Sequence, residues 1–308
     1  MCGVTRRRAA PAPTSRPNGT VGTLQRGVRQ EASLVIVYGT ELGRRLPLTQ
    51  STFTIGRSKK CDLFIDQEAV SRSHAEIVLE RGRHTLIDLR SSNGTRVNDE
   101  RITARKLDDG DRIQIGQTLL AFLSGENVET RFQEQVYRLM TVDGLTDVYN
   151  KRYFSETLDR EHARALRYER RLSLILFDVD GLDRIHEEHG AIAADAALQQ
   201  IARAVRVKLR QQDIFGRLGG GSFGIILPEI DIEGACKAAE KARLIVEGTT
   251  KEHDGVPLRC TLSLGIAVLS TKVTTPADLL AAAREAVEAA RQGGGNHIAV
   301  FEDEGCRP

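Results

Sequence analysis

The chain has 308 residues, room for about two ordinary domains, each able to bury its own core without disulfide or metal staples. Lysine and arginine total 44 against 42 aspartate and glutamate, a formal net charge of +2, so the overall balance argues for neither a nucleic-acid nor a membrane partner. The five cysteines, at 2, 61, 236, 260 and 306, share no metal-ligand spacing, and an odd, scattered set fits reduced thiols in the cytoplasm better than a disulfide framework.

Residues 1–30 carry six arginines, no acid and three of the eight prolines. Such a segment cannot bury enough apolar surface to offset its ordering entropy, so it is expected to be a disordered basic arm. No apolar stretch follows its arginines, which argues against a secretory signal. The longest apolar runs, such as Leu172–Phe177, are far too short to span a bilayer.

Residues 31–124 read as an all-β sandwich. Leu34–Tyr38 is an apolar run, and Ala75, Ile77 and Leu79 alternate with polar neighbours through Ala75–Glu80. Arg81-Gly82-Arg83 makes a turn into His84–Leu89, and Ile113 and Ile115 alternate ahead of Leu119–Leu123. A period of two with frequent turn signals predicts strands with loops gathered at the ends. The loops hold Ile55-Gly56-Arg57, the Ser71-Arg72-Ser73-His74 run, the segment from Ser91 to Asn98, and Leu107 to Gly116.

In that order and spacing these loops resemble the forkhead-associated (FHA) family over about 90 residues. The resemblance implies an eleven-stranded sandwich that binds phosphothreonine peptides, and so a phosphothreonine-containing protein partner. Arg57 matches the phosphate-gripping arginine and Ser71 the phosphate-bonding serine, with Arg72 a second phosphate contact. Asn93 matches the asparagine that holds the peptide backbone, with Ser92 beside it. A doubly charged phosphate suits a guanidinium fork with short hydroxyl and amide donors. Gly56, His74 and Asn98 match positions that shape the loops.

In residues 125–141, Val128, Phe132, Val136 and Leu139 stand on one helical face. Such a helical linker either packs on its own domain or pairs with a second copy, which leaves a homodimer open. From 142 to 302 helices and strands alternate, predicting an α/β or α+β domain, a sheet covered by helices. Ser173–Phe177 is read as a buried strand, 192–210 as a helix, Ile214–Leu218 with Phe223–Leu227 as a hairpin, and Leu258–Leu269 as a strand. The last helix is expected to start at Thr275 as cap, with Pro276 first and Asp278 in the first turn. Residues 303–308 form a tail.

Residues 143–154, 177–190, 217–228 and 261–268 together resemble the GGDEF family. Its active members are diguanylate cyclases, which condense two GTP into cyclic di-GMP with two Mg²⁺ or Mn²⁺ ions held by carboxylates. Here Gly219-Gly220-Gly221-Ser222-Phe223 replaces the name-giving signature, so Gly221 and Ser222 stand where two acids belong. His186 replaces a guanine-facing asparagine and Gly295 a phosphate-binding arginine. The resemblance retains Asp178 as metal-binding aspartate, Asp195 as guanine-recognising aspartate and Arg291 at a phosphate-contacting position. Asp178, His186, Asp195 and Arg291 thus outline a remnant nucleotide site.

Arg210 and Asp213 match the family's inhibitory cyclic di-GMP site, an Arg-x-x-Asp five residues before the signature. Lys237, Lys241 and Arg243 are candidates for a second cation there. The expected protein is therefore a cytoplasmic, bacterial signalling protein in which phosphothreonine recognition is coupled to a catalytically inactive cyclic di-GMP receptor, through the helix near 128–140. A weak diguanylate cyclase using Asp178 and Asp180, and a scaffold that binds no nucleotide, are the alternatives. No cofactor is expected beyond Mg²⁺, and that only with residual GTP binding.

Overall fold

The computed structural model describes residues 32–125, 128–249 and 251–301. The expected basic arm and C-terminal tail lie outside the described residues. The first domain contains β1 (Ala32–Tyr38), β2 (Arg45–Pro47), β3 (Thr52–Gly56), β4 (Leu63–Phe64), β5 (Ala75–Glu80) and β6 (Arg83–Asp88). It continues with β7 (Thr95–Val97), β8 (Glu100–Ile102), β9 (Ala104–Lys106), β10 (Arg112–Ile115) and β11 (Thr118–Ser124). These strands form two sheets, ordered β2-β1-β11-β10-β7-β8 and β4-β3-β5-β6-β9. Leu34, Ile36, Ile55, Ile77, Leu86, Ile113, Leu120 and Phe122 fill the core between them. That is the expected sandwich, aligned face to face because each inner face is apolar.

Helix α1 (Val128–Thr141) follows. Val128 is buried, and Phe132 and Leu139 pack against the same apolar cluster, whereas Val136 is more than one third exposed. The helix lies on β1 and β11 of the sandwich and against the next helix, so its apolar stripe packs within its own chain. The Arg45 guanidinium rests over the Phe132 ring at 5.1 Å and pairs with Glu129 at 2.5 Å.

The second domain runs α2 (Lys151–Tyr168), β12 (Leu172–Asp180), α3 (Leu182–Arg206), β13 (Ile214–Gly219), β14 (Ser222–Pro228) and α4 (Ile232–Gly248). Then come β15 (Lys251–His253), β16 (Val256–Leu258), β17 (Thr261–Val268), α5 (Pro276–Gln292) and β18 (Ile298–Val300). The sheet order is β13-β14-β12-β17-β18, antiparallel except for β17 beside β18. Two expected elements differ. Leu182–Arg206 is interrupted at Gly190, whose φ 83° and ψ 172° are not helical, so the helix read at 192–210 starts just after that break as expected and ends earlier, at Arg206; glycine takes such a φ without strain. The strand read at Leu258–Leu269 is broken, because Val256–Leu258 pairs back on Lys251–His253 and only Thr261–Val268 enters the sheet. The cap of α5 is as read: the Thr275 side chain accepts from the Asp278 amide, and Asp278 accepts from the Thr275 amide.

The two domains share one apolar cluster. Val35, Val37, Leu119, Ala121 and Leu123, on the outer face of the β1–β11 pair, join Leu145 and Val148 and through them the core of the second domain. Burying one such side chain fully contributes about 1.5–3 kcal/mol. The polar bridges around the rim, Arg112–Asp147, Arg138–Asp147, Arg96–Asp254 and Arg203–Asp99, are partly or largely exposed and contribute about 0–1 kcal/mol each. Apolar burial therefore carries the docking, and the ion pairs set its register. Approach is closest at Gly144, where a Cβ would lie 1.7 Å from the Val37 carbonyl oxygen. Replacing Gly144 with Ala should destabilise the chain by about 1–3 kcal/mol through overpacking, seen as a lower or a split thermal transition in calorimetry; an unchanged melting profile would show that the backbones are not this close.

Candidate functional site

Two sets of loops and pockets hold the chemistry. At one end of the sandwich, the loops after β3, β4 and β6 converge. Gly56 is required there because a Cβ would sit 2.3 Å from the Arg72 carbonyl oxygen. The Arg57 amide donates to Ser71 O at 2.9 Å and the Ser58 amide to Arg72 O at 3.1 Å, which zips the loops together. The Arg57 side chain is anchored by one bond, Nε to Val70 O at 3.1 Å. Neither Arg57 nor Arg72 has a carboxylate within ion-pair distance among the described residues, and both are exposed.

Ser71 and Ser92 face each other, with the Ser92 amide donating to Ser71 Oγ at 3.1 Å. Asn93 donates from Nδ2 to Ala69 O at 2.8 Å. Beneath them His74 is fully buried. Its Nδ1 accepts from the Ser71 amide at 3.1 Å, so Nε2 carries the proton and donates to Gly94 O at 3.2 Å. Burial pushes the His74 pKa down, which keeps the ring neutral and its acceptor available. Asn98 is a brace, linking Asp111 Oδ1 at 2.7 Å to the Arg112 amide at 2.9 Å. The five sequence-predicted residues Arg57, Ser71, Arg72, Ser92 and Asn93 are thus brought to one rim.

In the second domain, Asp178 ends the central strand opposite Ser222. Its Oδ1 accepts from Ser222 Oγ and its Oδ2 from Arg291 Nη1 at 3.2 Å. Asp180 is fully engaged: it accepts from Thr261 Oγ1 at 2.8 Å, Ser263 Oγ at 2.7 Å and the Asn296 amide at 3.0 Å. Gly221 contributes no side chain, and its carbonyl accepts from the Val179 amide at 3.1 Å. Gly295 adopts φ +73° beside Asp180, a backbone that disfavours an arginine there. Two divalent ions need several free anionic oxygens, and this donor set does not supply them. Among the described residues no cluster of three histidine, cysteine, aspartate or glutamate side chains is built to hold a metal.

Asp195 and His186 lie apart from that cluster on α3. His186 is exposed and Asp195 is buried. Burial raises the Asp195 pKa from 3.8 to about 6, against the lowering pull of Arg217 and a hydrogen bond from the Gln117 side chain. Its Oδ2 has no hydrogen-bond partner. The neighbours include two residues of the first domain, Gln117 and Tyr38; burial raises the Tyr38 pKa, with Asp195 adding to the rise and Arg217 opposing it. Sequence reasoning missed Tyr38, Gln117, Arg217 and Asp143 as parts of this site. The available signal was the unbroken apolar run at Leu34–Val37, since a strand buried on both faces does not alternate.

Arg210 and Asp213 flank a cavity of about 240 Å³ lined also by Lys208, Lys237 and Lys241. Asp213 Oδ2 accepts from the Arg210 amide at 2.8 Å, while its buried Oδ1 has no partner. No ion pair joins the two side chains among the described residues. Of the three cations considered for this place, Lys237 pairs with Glu233 at 2.5 Å, and Lys241 has no carboxylate within reach among the described residues. Arg243 is committed to Glu240, Glu247 and Asn296 and does not line the cavity.

The diguanylate cyclase GGDEF-domain family matches residues 140–297, and the FHA-domain family matches residues 53–116. The oxoglutarate dehydrogenase inhibitor of Corynebacterium glutamicum is 40% identical over 116 residues, 38% of this chain and 76% of its own length. The glycogen accumulation regulator GarA of Mycolicibacterium smegmatis is 44% identical over 94 residues, 30% of this chain and 60% of its own. Diguanylate cyclase DgcP of Pseudomonas aeruginosa is 34% identical over 137 residues, 44% of this chain but only 20% of its own. The coiled coil and GGDEF domain of DgcB from Caulobacter crescentus, solved with c-di-GMP, superimposes with a TM-score of 0.53 at 23% identity, covering 56% of this chain and 91% of that one. The fold and the loop set thus define a two-domain signalling protein, an FHA sandwich joined to a nucleotide-cyclase fold. The chain belongs to the GGDEF-domain family and carries an FHA domain ahead of it. No described helix is long and apolar enough to cross a membrane.

Because the folded Asp195 carboxyl titrates near 6 and the unfolded one near 3.8, the folded state holds a proton that the unfolded state has lost between those values. Above pH 6 the buried carboxylate costs stability; below about 4 that cost vanishes. Asp195→Asn should therefore stabilise the chain by on the order of 3 kcal/mol at pH 8 and by almost nothing at pH 4. Denaturant titrations at the two pH values check it, and a pH-independent difference would contradict the burial argument.

Proposed function

We propose that this protein is a bacterial cytoplasmic signalling receptor that reads two inputs, a phosphothreonine-containing protein and cyclic di-GMP, and makes neither bond nor product. The observation that carries this reading is a contrast within the second domain. The carboxylates of the cyclase centre are tied up by Ser222, Arg291, Thr261 and Ser263, while Arg210, Lys241 and Asp213 Oδ1 are left with unused charge or acceptor capacity around one cavity. An arginine stacks on a purine and bonds its edge, and an aspartate accepts from guanine N1 and the exocyclic amine. The cavity is smaller than the ~300–1,000 Å³ of ordinary ligand pockets, so it takes one base of a dinucleotide and leaves the rest along the lysines. No cofactor is needed for either binding event, and Mg²⁺ enters only with residual GTP binding. A homodimer is compatible with this reading and is not required by it.

On the first domain, unpaired Arg57 and Arg72 beside Ser71, Ser92 and Asn93 suit a phosphate flanked by an extended peptide. Binding is expected near micromolar, about −8 kcal/mol. Calorimetry should show that Arg57→Ala removes nearly all phosphothreonine-peptide binding, because a charge-assisted contact is lost; equal affinity in both proteins would displace the phosphate site.

Incubation with GTP and Mn²⁺ followed by chromatography should give no cyclic di-GMP, since loss of a single essential group already costs on the order of 10⁴-fold. Turnover like that of an ordinary cyclase would favour the alternative enzyme reading. Cyclic di-GMP should release heat with the wild type and none with Arg210→Ala. No heat with either protein would leave a phospho-dependent scaffold, and equal heat with both would move the ligand elsewhere.

A further inference from the structure

The turn between β10 and β11 touches both functional regions. On one side Gln67, in the loop that leads to Ser71, clamps it. Gln67 Oε1 accepts from the Gln117 amide at 2.9 Å, and Gln67 Nε2 donates to Thr118 Oγ1 at 3.2 Å. Gly116 permits this contact, because with φ +59° a Cβ would meet Gln67 Oε1 at 2.7 Å and Val70 Cγ2 at 2.8 Å. The same loop holds the Arg57 and Asn93 side chains, through Val70 O and Ala69 O, and closes on itself from the Val70 amide to Gln67 O at 3.0 Å. On the other side, the Gln117 side chain faces Asp195, and Tyr38, paired across from Leu119, faces Arg217 and Asp143. Arg217 reaches Asp143 at 3.3 Å and grips Gly220 O at 2.9 and 3.0 Å. Gly220 belongs to the hairpin tip that carries Gly221 and Ser222.

We infer that the FHA domain is an in-cis cap on the second domain, with Gln117 and Tyr38 closing over Asp195, and that Gln67 transmits occupancy of the phosphopeptide loops to that cap. Three facts support the cap. Asp195 is only 6% exposed; beside Arg217, Asp143 and His186 of its own domain, its neighbours include Gln117 and Tyr38 of the other; and its Oδ2 is left without a donor, so the closed arrangement satisfies the carboxylate poorly and the Gln117 turn can lift while the apolar docking holds. The transmission rests on the phosphopeptide reading above. A peptide that recruits Asn93 takes its amide away from Ala69 O, which loosens the loop holding Gln67 and so frees Gln117. Because the contact runs straight from sheet to helix α3, the signal has a path besides helix α1. Occupancy and cap opening are then linked in both directions.

Carboxyl footprinting with a carbodiimide and an amine on the full chain tests this. The labelling rate of Asp195 is read against exposed Asp159 in the same sample, and half-buried Asp213 serves as the folding control. Asp195 should label slowly in the wild type and at least about fivefold faster in Gln117→Ala and in Gln67→Ala, with Asp213 unchanged. A saturating phosphothreonine peptide, its binding measured separately by calorimetry, should raise the Asp195 rate by a similar factor in the wild type and add nothing in Gln67→Ala. Unchanged Asp195 labelling in both variants overturns the cap. A peptide that binds the wild type without changing the rate overturns the transmission. If no phosphothreonine peptide binds at all, the peptide reading and the transmission fall together, and the two variants alone decide the cap.

Discussion

The structure depends on one strand pair being buried on both faces. β1 and β11 give Leu34, Ile36, Leu120 and Phe122 to the sandwich core and Val35, Val37, Ala121 and Leu123 to the cluster shared with the second domain. A free sandwich domain would turn polar residues outward on one face of these strands. Here the outward residues are apolar and need cover, which α1 and the 143–148 segment provide. Gly144 sets how close the cover comes. Once that contact is fixed, the position of the β10–β11 turn over Asp195 and the pairing of Arg112 with Asp147 follow from it.

The second domain keeps the cyclase scaffold and reassigns its polar groups. Asp178, where the resemblance implies a metal-binding oxygen, and Asp180, which the weak-cyclase alternative would add, accept hydroxyl, guanidinium and backbone donors. Each of those hydrogen bonds to a charged acceptor stabilises the fold by about 1.5–3 kcal/mol, so the aspartates have a structural role of their own. The Arg210–Asp213 region shows the opposite pattern, with charge and acceptor capacity left unused. Fold alone does not decide activity; the two regions differ in how far their polar atoms are satisfied, and the proposed receptor reading rests on that difference.

Much of this was legible in the sequence. The alternation in Ala75–Glu80, the Thr275-Pro276 cap and the hairpin around Gly219 each rest on local geometry, which a short window of residues specifies. The convergence of Arg57, Ser71 and Asn93 was legible only through resemblance, since it joins three separate loops. Two boundaries differ for local reasons: nothing in Leu258–Leu269 marks the break at Arg259-Cys260, and the apolar stripe through Val205 and Leu209 runs on past the helix end at Arg206. The domain contact was not read at all. Its signal, an apolar run without alternation at Leu34–Val37, is shared by any strand buried on both faces and does not say what covers the second face.

The central claim is that the FHA domain and the GGDEF domain form one docked body through the β1–β11 face. Small-angle X-ray scattering on the wild type beside Gly144→Val tests it most directly. The account predicts a compact interatomic distance distribution with a single maximum for the wild type, and a longer, two-lobed distribution for the variant, whose added side chain cannot fit against the Val37 carbonyl. A two-lobed distribution already present in the wild type would contradict it.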